Sequence, residues 1–171
     1  VGTGQGARAG MLIKSAEALE HAEKISLLAV DKTGTLTEGH PVVARVLNAA
    51  DVTEDALLVL AAAVEQTSSH PLAVAVVAAA KQRHSTLQQP EQVITHVGLG
   101  LEARLDGQRI LVGSAALLRQ HQVSIPTDAL LPLIEAGMTV IAVARNGEYC
   151  GALGIRDALR PDSQAAVRRL Q

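Results

Sequence analysis

The stretch AVDKTGTLTEG, residues 29–39, places a carboxylate where an apolar run ends and a polar loop begins. The apolar residues at 25–30 predict a short strand, although one serine interrupts the pattern. Gly34 and Gly39 then break the regular structure. Asp31 is therefore expected at the carboxyl end of a strand, where open α/β sheets bind their ligands.

Composition excludes several classes of protein. A net charge of −2 argues against binding nucleic acid by neutralising its phosphates. The single cysteine, Cys150, excludes an internal disulfide framework and a CxxC metal site. The longest apolar runs, 56–64 and 72–80, are far shorter than the about 20 residues of a membrane span. Without Phe or Trp, the core must consist of alanine and aliphatic side chains.

Helical and strand patterns alternate along the chain, with antiparallel hairpins in the middle. Asp106-Gly107 and Asn146-Gly147 are hairpin turn signals between alternating strands. Thr53 is expected to cap one helix, and Pro71 suits the first turn of the next. The predicted strands are 25–30, 42–47, 92–96, 99–105, 109–112 and two in 139–155, and the predicted helices are 53–65, 71–83, 115–122, 128–136 and one from Pro161. These elements predict an α+β fold, in which an antiparallel-sheet insert at 41–151 interrupts a parallel α/β unit.

The loop that follows Asp31 carries the residue types that phosphoryl transfer needs. A carboxylate can attack a γ-phosphoryl group in line and hold it as an acyl phosphate. The hydroxyls of Thr33 and Thr35 and loop N–H groups near Gly34 can bind phosphate oxygens, and Lys32 adds positive charge. Mg²⁺ would neutralise the charge that develops. The alternative is a solvated aspartate at a turn.

The string DKTGTLT at 31–37 resembles the phosphorylation motif of the P-type ATPases in every residue. These are membrane pumps with a haloacid-dehalogenase-like catalytic core. The resemblance implies that ATP phosphorylates Asp31, with Lys32 and Thr33 as further catalytic residues. It also implies that Asp31 and Thr33 hold Mg²⁺, the latter through its backbone carbonyl.

Three further motifs extend the resemblance along the chain. SSHPLA at 68–73 is similar to the His-Pro signature of the heavy-metal subclass, and GLG at 98–100 to its nucleotide loop. RDALR at 156–160 is similar to the hinge motif, with Asp157 and Arg160 kept and both prolines replaced. The resemblance implies a nucleotide-binding domain at 41–151, inserted into an incomplete phosphorylation domain formed by 23–40 and 152–171.

The same resemblance implies the residues that hold ATP. Glu65 and His70 would bind the adenine, in a chain without a phenylalanine to stack on it. Gly98 and Gly100 would let the backbone approach the nucleotide closely, since glycine has no Cβ. Gly113 matches a further glycine of the family. The remaining histidines and Cys150 are expected to be surface or core residues; the histidines are His21, His40, His84, His96 and His121.

The first segment suggests the transported metal. GTGQGARAGMLIKSAEALE at 2–20 resembles the stretch that follows the membrane metal helix in Cu(I) pumps, and 1–22 would be membrane-proximal. The resemblance favours copper, leaves silver open, and keeps a zinc/cadmium pump as an alternative. The transported metal would bind outside this chain, on membrane helices, and the partners would be those helices and an actuator domain. The chain would lie on the cytoplasmic side of a membrane.

Both ends of the sequence favour a piece of a longer protein, which would bind ATP with little or no turnover. One alternative is a stand-alone ATP-binding module with an unused aspartate loop. Another is a soluble haloacid-dehalogenase phosphatase. Such phosphatases usually carry a second aspartate two residues after the nucleophile, and here that position is Thr33. Its hydroxyl cannot serve as the general acid and base of hydrolysis, so a phosphoenzyme would persist, as a pump requires.

Overall fold

The computed structural model describes residues 24–170 and, before them, six isolated positions. The side chains of Lys32 and Thr33 are outside this description. Most of the predicted membrane-proximal segment 1–22, with its copper-pump motif, lies outside the described residues. The chain divides into two compact units, Val1–Asp31 and Lys32–Gln171. Within the described residues, no helix has both the length and the apolar character to cross a bilayer.

In the first unit, the prediction of a strand at residues 25–30 is wrong. These residues have no regular secondary structure and are exposed, with Leu27 reaching 86% exposure. A strand is held by hydrogen bonds to a neighbouring strand. No strand in the described part of the chain pairs with this run. An apolar pattern alone therefore does not form the strand, and Asp31 does not follow one.

The second unit is built on an antiparallel sheet in the order β1-β6-β5-β4-β3-β2. Its strands are β1 Val42–Asn48, β2 Glu91–His96, β3 Gly100–Leu105, β4 Gln108–Gly113, β5 Thr139–Arg145 and β6 Glu148–Arg156. Both predicted hairpins are present, β3–β4 and β5–β6. Their turn residues Asp106-Gly107 and Asn146-Gly147 all have positive φ, as type I′ turns require.

Helices cover both faces of this sheet. They are α1 Glu54–Glu65, α2 Pro71–Gln82, α3 Ala115–Gln120 and α4 Leu131–Glu135, and a fifth helix, α5 Ser163–Leu170, follows the last strand. On one face, Leu57 and Val76 of α1 and α2 pack in one core cluster with Val112 of β4. On the other, Leu117 of α3 packs with Leu111 of β4. The predicted α+β class, an antiparallel sheet flanked by helices, is confirmed.

Local signals place the first two helices well and the later ones less well. Thr53 caps α1 by accepting the N–H of Ala56 at 3.2 Å, and Pro71 opens α2, as expected. The helix predicted at 128–136 begins only at Leu131, because residues 127–130 form turns and Leu130 offers no side-chain cap. The last helix begins at Ser163, two residues after Pro161, which lies in a turn.

Candidate functional site

One cleft gathers the five residues predicted to bind nucleotide. It has a volume of about 380 Å³ and lies among the end of α1, the start of α2, the β2–β3 turn and the end of β4. The predicted residues in its lining are Glu65, His70, Gly98, Gly100 and Gly113. They come from four separate segments of the chain, so their convergence is a property of the fold.

The sequence analysis missed several polar residues of this lining. Ser68, Thr95, His96, Ser114 and Thr139 also border the cleft. Four of them lie within three positions of a predicted cleft residue in the sequence, which was a weak indication that they also border the cleft. Thr139 does not. That threonine reaches the cleft only because β5 lies next to β4 in the sheet.

Glu65 is the last residue of α1 and the most buried carboxyl group of the cleft, at 7% exposure. Burial raises the pKa of its carboxyl from 4.5 to about 7, since the charged form loses its hydration. Near neutral pH, this group is therefore divided between a protonated form that donates a hydrogen bond and an ionised form that only accepts.

His70 is fixed at the mouth of the cleft by its role in capping α2. Its Nδ1 accepts the N–H of Leu72 at 3.2 Å, and its own N–H donates to Ser68 Oγ at 3.2 Å. Because Nδ1 accepts, the proton of the neutral ring is on Nε2. His70 thus presents one N–H donor to a ligand while its other nitrogen holds the helix.

The three positions require glycine for different reasons. A Cβ on Gly98, at φ +71°, would meet no atom within 4 Å, so the space above it is open. A Cβ on Gly100 would lie 2.3 Å from the carbonyl oxygen of Val112, and one on Gly113 would lie 2.2 Å from that of Leu99. Gly100 and Gly113 are direct cross-strand partners. Close strand pairing therefore explains Gly100 and Gly113, whereas the positive φ of Gly98 explains the third glycine.

A second cluster of polar contacts joins the end of the DKTGTLT loop to the return segment. Lys32–Leu36 forms a π-helical turn, and Thr37, which follows it, is fully buried. Thr37 Oγ1 donates a hydrogen bond to Asp157 Oδ2 and accepts the N–H of Gly34 at 3.0 Å. The other oxygen of Asp157 accepts the N–H of His40 at 3.0 Å.

Arg160 and Ser163 complete this contact by donating to loop carbonyls. Arg160 Nε donates to the carbonyl of Thr37 at 3.0 Å, and Nη2 donates to that of Gly34 at 3.2 Å. Ser163 Oγ donates to the carbonyl of Leu36 at 2.7 Å. The two predicted hinge residues, Asp157 and Arg160, thus hold the loop in place.

The three predicted catalytic residues are consecutive in the chain, with Asp31 the last residue of the first unit and Lys32 the first of the second. Asp31 is exposed at the end of the first unit. The side chains of Lys32 and Thr33 are outside the described residues. The catalytic and Mg²⁺-binding roles of these three residues therefore stay predictions.

Comparison with known proteins places the chain in a family. A family model described as haloacid dehalogenase-like hydrolase matches residues 25–171. The chain belongs to this family. Within the haloacid dehalogenase-like hydrolases, its relatives are heavy-metal P-type ATPases, which confirms the predicted resemblance.

Two curated relatives show how far the likeness extends. A copper-exporting P-type ATPase of Legionella pneumophila is 39% identical over 100% of this chain and 23% of its own length. A zinc/cadmium/lead-transporting P-type ATPase of Escherichia coli is 39% identical over 99% of this chain and also 23% of its own length. The chain thus spans about a quarter of the length of these relatives, and the copper pump and the zinc/cadmium/lead pump are equally similar to it.

A solved structure of a related pump domain has a similar fold. The catalytic domain of a CPx-ATPase, studied for its conformational changes upon nucleotide binding, is similar with a TM-score of 0.68 and 26% identity. The match covers 97% of this chain and 57% of that one.

Proposed function

We propose that this chain is the ATP-binding and phosphoryl-accepting part of a heavy-metal P-type ATPase. The observation that carries the proposal is the convergence of Glu65, His70, Gly98, Gly100 and Gly113 on one cleft. Each of these residues matches a motif of that family. A nucleotide-binding domain at 41–151, within a phosphorylation domain formed by 23–40 and 152–171, belongs to the same proposal.

The chemistry of the cleft suits a purine base. The Nε2–H of His70 can donate to a ring nitrogen, and the Glu65 carboxyl can accept from an exocyclic amine or, when protonated, donate. The open space above Gly98 leaves room for a ring or a phosphate next to the backbone. A volume of about 380 Å³ lies within the usual range of ligand pockets.

Asp31 is the proposed phosphoryl acceptor. One of its carboxylate oxygens attacks the γ-phosphorus, the bond from that phosphorus to the β–γ bridging oxygen breaks, and ADP leaves with the electron pair. The contacts of Asp157 and Arg160 fix the far end of the loop at Thr37. Thr33, standing where hydrolases carry an acid, leaves the acyl phosphate long-lived, so the chain alone turns ATP over slowly.

The oxygen donors of this loop fit the Mg²⁺ that the family implies. An exposed carboxylate at Asp31 and a backbone carbonyl at Thr33 are the kinds of ligand this hard cation takes, with the remaining positions left to water and phosphate. When bound, Mg²⁺ neutralises charge on the transferring phosphoryl group.

Copper is the proposed cargo of the full-length pump, with silver as a related soft ion. The support is the resemblance of residues 2–20 to Cu(I) pumps. A zinc/cadmium pump is the second candidate, favoured by the equally similar zinc/cadmium/lead relative. Cargo-dependent ATP hydrolysis by the full-length protein decides between them. Stimulation by Cu(I) and not by Zn²⁺ supports copper, and the reverse overturns it.

The nucleotide role is tested by replacing His70 with asparagine. Asparagine keeps the cap on α2, because its side-chain oxygen can accept the N–H of Leu72, but it removes the Nε2 donor. We expect ATP affinity, measured by calorimetry on this chain, to fall roughly tenfold, the value of one hydrogen bond to a buried base. Unchanged affinity with an unchanged melting temperature contradicts the assignment.

The phosphorylation role is tested in the full-length protein with Asp31→Asn. We expect loss of the acid-stable, hydroxylamine-sensitive phosphoenzyme and of transport, with ATP binding retained. If phosphoenzyme formation and transport continue at the original rates, Asp31 is not the acceptor. If transport and phosphoenzyme are absent from the original protein as well, the chain is a stand-alone ATP-binding module.

A further inference from the structure

Two histidines and a glutamate meet on the face of the sheet that α3 covers. Glu102 extends from β3, His96 ends β2, and His121 directly follows α3. Glu102 Oε2 lies 3.2 Å from His96 Nε2 and 3.8 Å from His121 Nε2. The two imidazole rings meet edge to face, with centroids 5.1 Å apart. Three side chains from three elements thus direct their polar atoms to one point.

The separation of these atoms is close to that of a metal's ligands. One donor atom from each residue can be chosen so that all three lie within 4.8 Å of one another. Ligands about 2.0–2.1 Å from a tetrahedral Zn²⁺ lie about 3.4 Å apart, so a small inward movement closes the site. The residues are about one-fifth exposed, which limits competing water and leaves an entry path for an ion.

Arg109 occupies the position beside these ligands and supports them in part. Its Nε donates to Glu102 Oε1 at 2.6 Å, leaving Oε2 turned toward the histidines. This hydrogen bond fixes the orientation of the Glu102 carboxylate. A bond from a second group to a ligating carboxylate is also what orients ligands in metal sites.

The same arginine also opposes a cation. Its Nη2 contacts His121 Nδ1, and a guanidinium only donates, so the proton of the neutral ring is on Nε2. Metal binding through Nε2 moves that proton to Nδ1, where it faces Arg109. The Arg109–His121 contact must then break, and the positive charge of Arg109 remains near the ion.

We propose that His96, Glu102 and His121 form a binding site for a divalent transition-metal ion of the Zn²⁺ class. Two imidazoles and one carboxylate are ligands that Zn²⁺ takes, with water in the fourth position. Without a thiolate, the site does not suit Cu(I), so it is distinct from any cargo site for a soft ion. His96 is also one of the residues that line the cleft, whereas Glu102 and His121 are not among them.

Calorimetric titration of this chain with Zn²⁺ alone tests the proposal, with Co²⁺ absorption as a second probe. We expect one ion per chain and the intense visible bands of four-coordinate Co²⁺. Glu102→Gln and His121→Ala should each weaken Zn²⁺ binding at least tenfold, because losing even a group that only orients a ligand costs about 10–100-fold. His84→Asn is the matched control, because it removes an exposed histidine and asparagine tolerates its positive φ of 55°.

Replacing Arg109 gives a second test, because a change in Zn²⁺ affinity is not expected if the three residues only stabilise the fold. In Arg109→Gln, the positive charge is gone and the amide oxygen can accept the Nδ1–H of metal-bound His121. We expect Zn²⁺ to bind roughly tenfold more tightly, as removal of a nearby like charge implies. The proposal is overturned if Glu102→Gln and His84→Asn bind Zn²⁺ equally well, or if no variant of the three residues changes the affinity for Zn²⁺. Neither titration contains nucleotide, so this result is independent of the proposed ATP site.

Discussion

Burial of Glu65 makes a prediction about folding stability that needs no ligand. The pKa of this carboxyl is raised from 4.5 to about 7 in the folded chain. Between these values, the folded state keeps a proton that the unfolded state releases. The stabilising effect of this proton is therefore complete below pH 4.5 and is lost as the pH rises through about 7.

The size of the effect follows from the gap between the two pKa values. Each pK unit is worth about 1.4 kcal/mol, so the full gap corresponds to about 3 kcal/mol. Between pH 5.0 and pH 8.5, the free energy of unfolding should lose about 2.5 kcal/mol of this contribution. Glu65→Gln carries no titrating proton at this position, so its stability should lack this component.

The assay is urea unfolding of the original chain and of Glu65→Gln at pH 5.0 and 8.5. The free-energy difference between the two proteins should move by about 2.5 kcal/mol in favour of the variant at the higher pH. Comparing the two proteins cancels the titration of the histidines, which both retain. Glu91→Gln, at an exposed position, is the control and should change by less than about 0.5 kcal/mol. Parallel pH dependences of Glu65→Gln and the original chain would refute the reasoning.

Two further predictions concern the hinge contact and the glycines. Asp157→Ala removes the acceptor of Thr37 Oγ1, a hydrogen bond to a charged group worth about 1.5–3 kcal/mol, and should speed amide hydrogen exchange of Glu38; unchanged exchange contradicts it. Gly98→Ala should fold, with a cost of about 1–2 kcal/mol for its positive φ, and lose ATP affinity several-fold by calorimetry. Gly100→Ala should lose cooperative thermal unfolding, because its Cβ would overlap the backbone of β4; equal melting temperatures for the two variants contradict this contrast.

Features set by neighbouring residues were predicted well from the sequence. The two hairpin turns depend on a dipeptide that tolerates positive φ, and Asp106-Gly107 and Asn146-Gly147 supply it. The start of α1 depends on a hydroxyl three residues before an N–H, and Thr53 supplies that. In each case, the residues that decide the structure are adjacent in the chain.

Features that depend on distant partners were predicted less well. The run at 25–30 has the composition of a strand, but a strand also needs a neighbour, which its own residues cannot reveal. His96 and His121 appeared to be unrelated histidines, because only the strand order and the position of α3 bring both to Glu102. The raised pKa of Glu65 likewise arises from burial under tertiary packing.

The cleft was located by motif resemblance, and the structure added the physical roles of its residues. Sequence alone gave Gly98 and Gly100 the same reason for being glycine. The structure distinguishes them, because a Cβ would enter open space at Gly98 but would overlap backbone atoms at Gly100. His70 similarly proves to be a helix cap as well as a candidate ligand.

The most direct test of the central claim is an ATP titration of the isotope-labelled chain, followed through its backbone amide resonances. The amides of His70, Gly98 and Gly100 should shift together and saturate with one dissociation constant. Saturable shifts confined to a different surface, such as the groove near Arg45 and Arg83, would show that nucleotide binds elsewhere and contradict the assignment of the cleft.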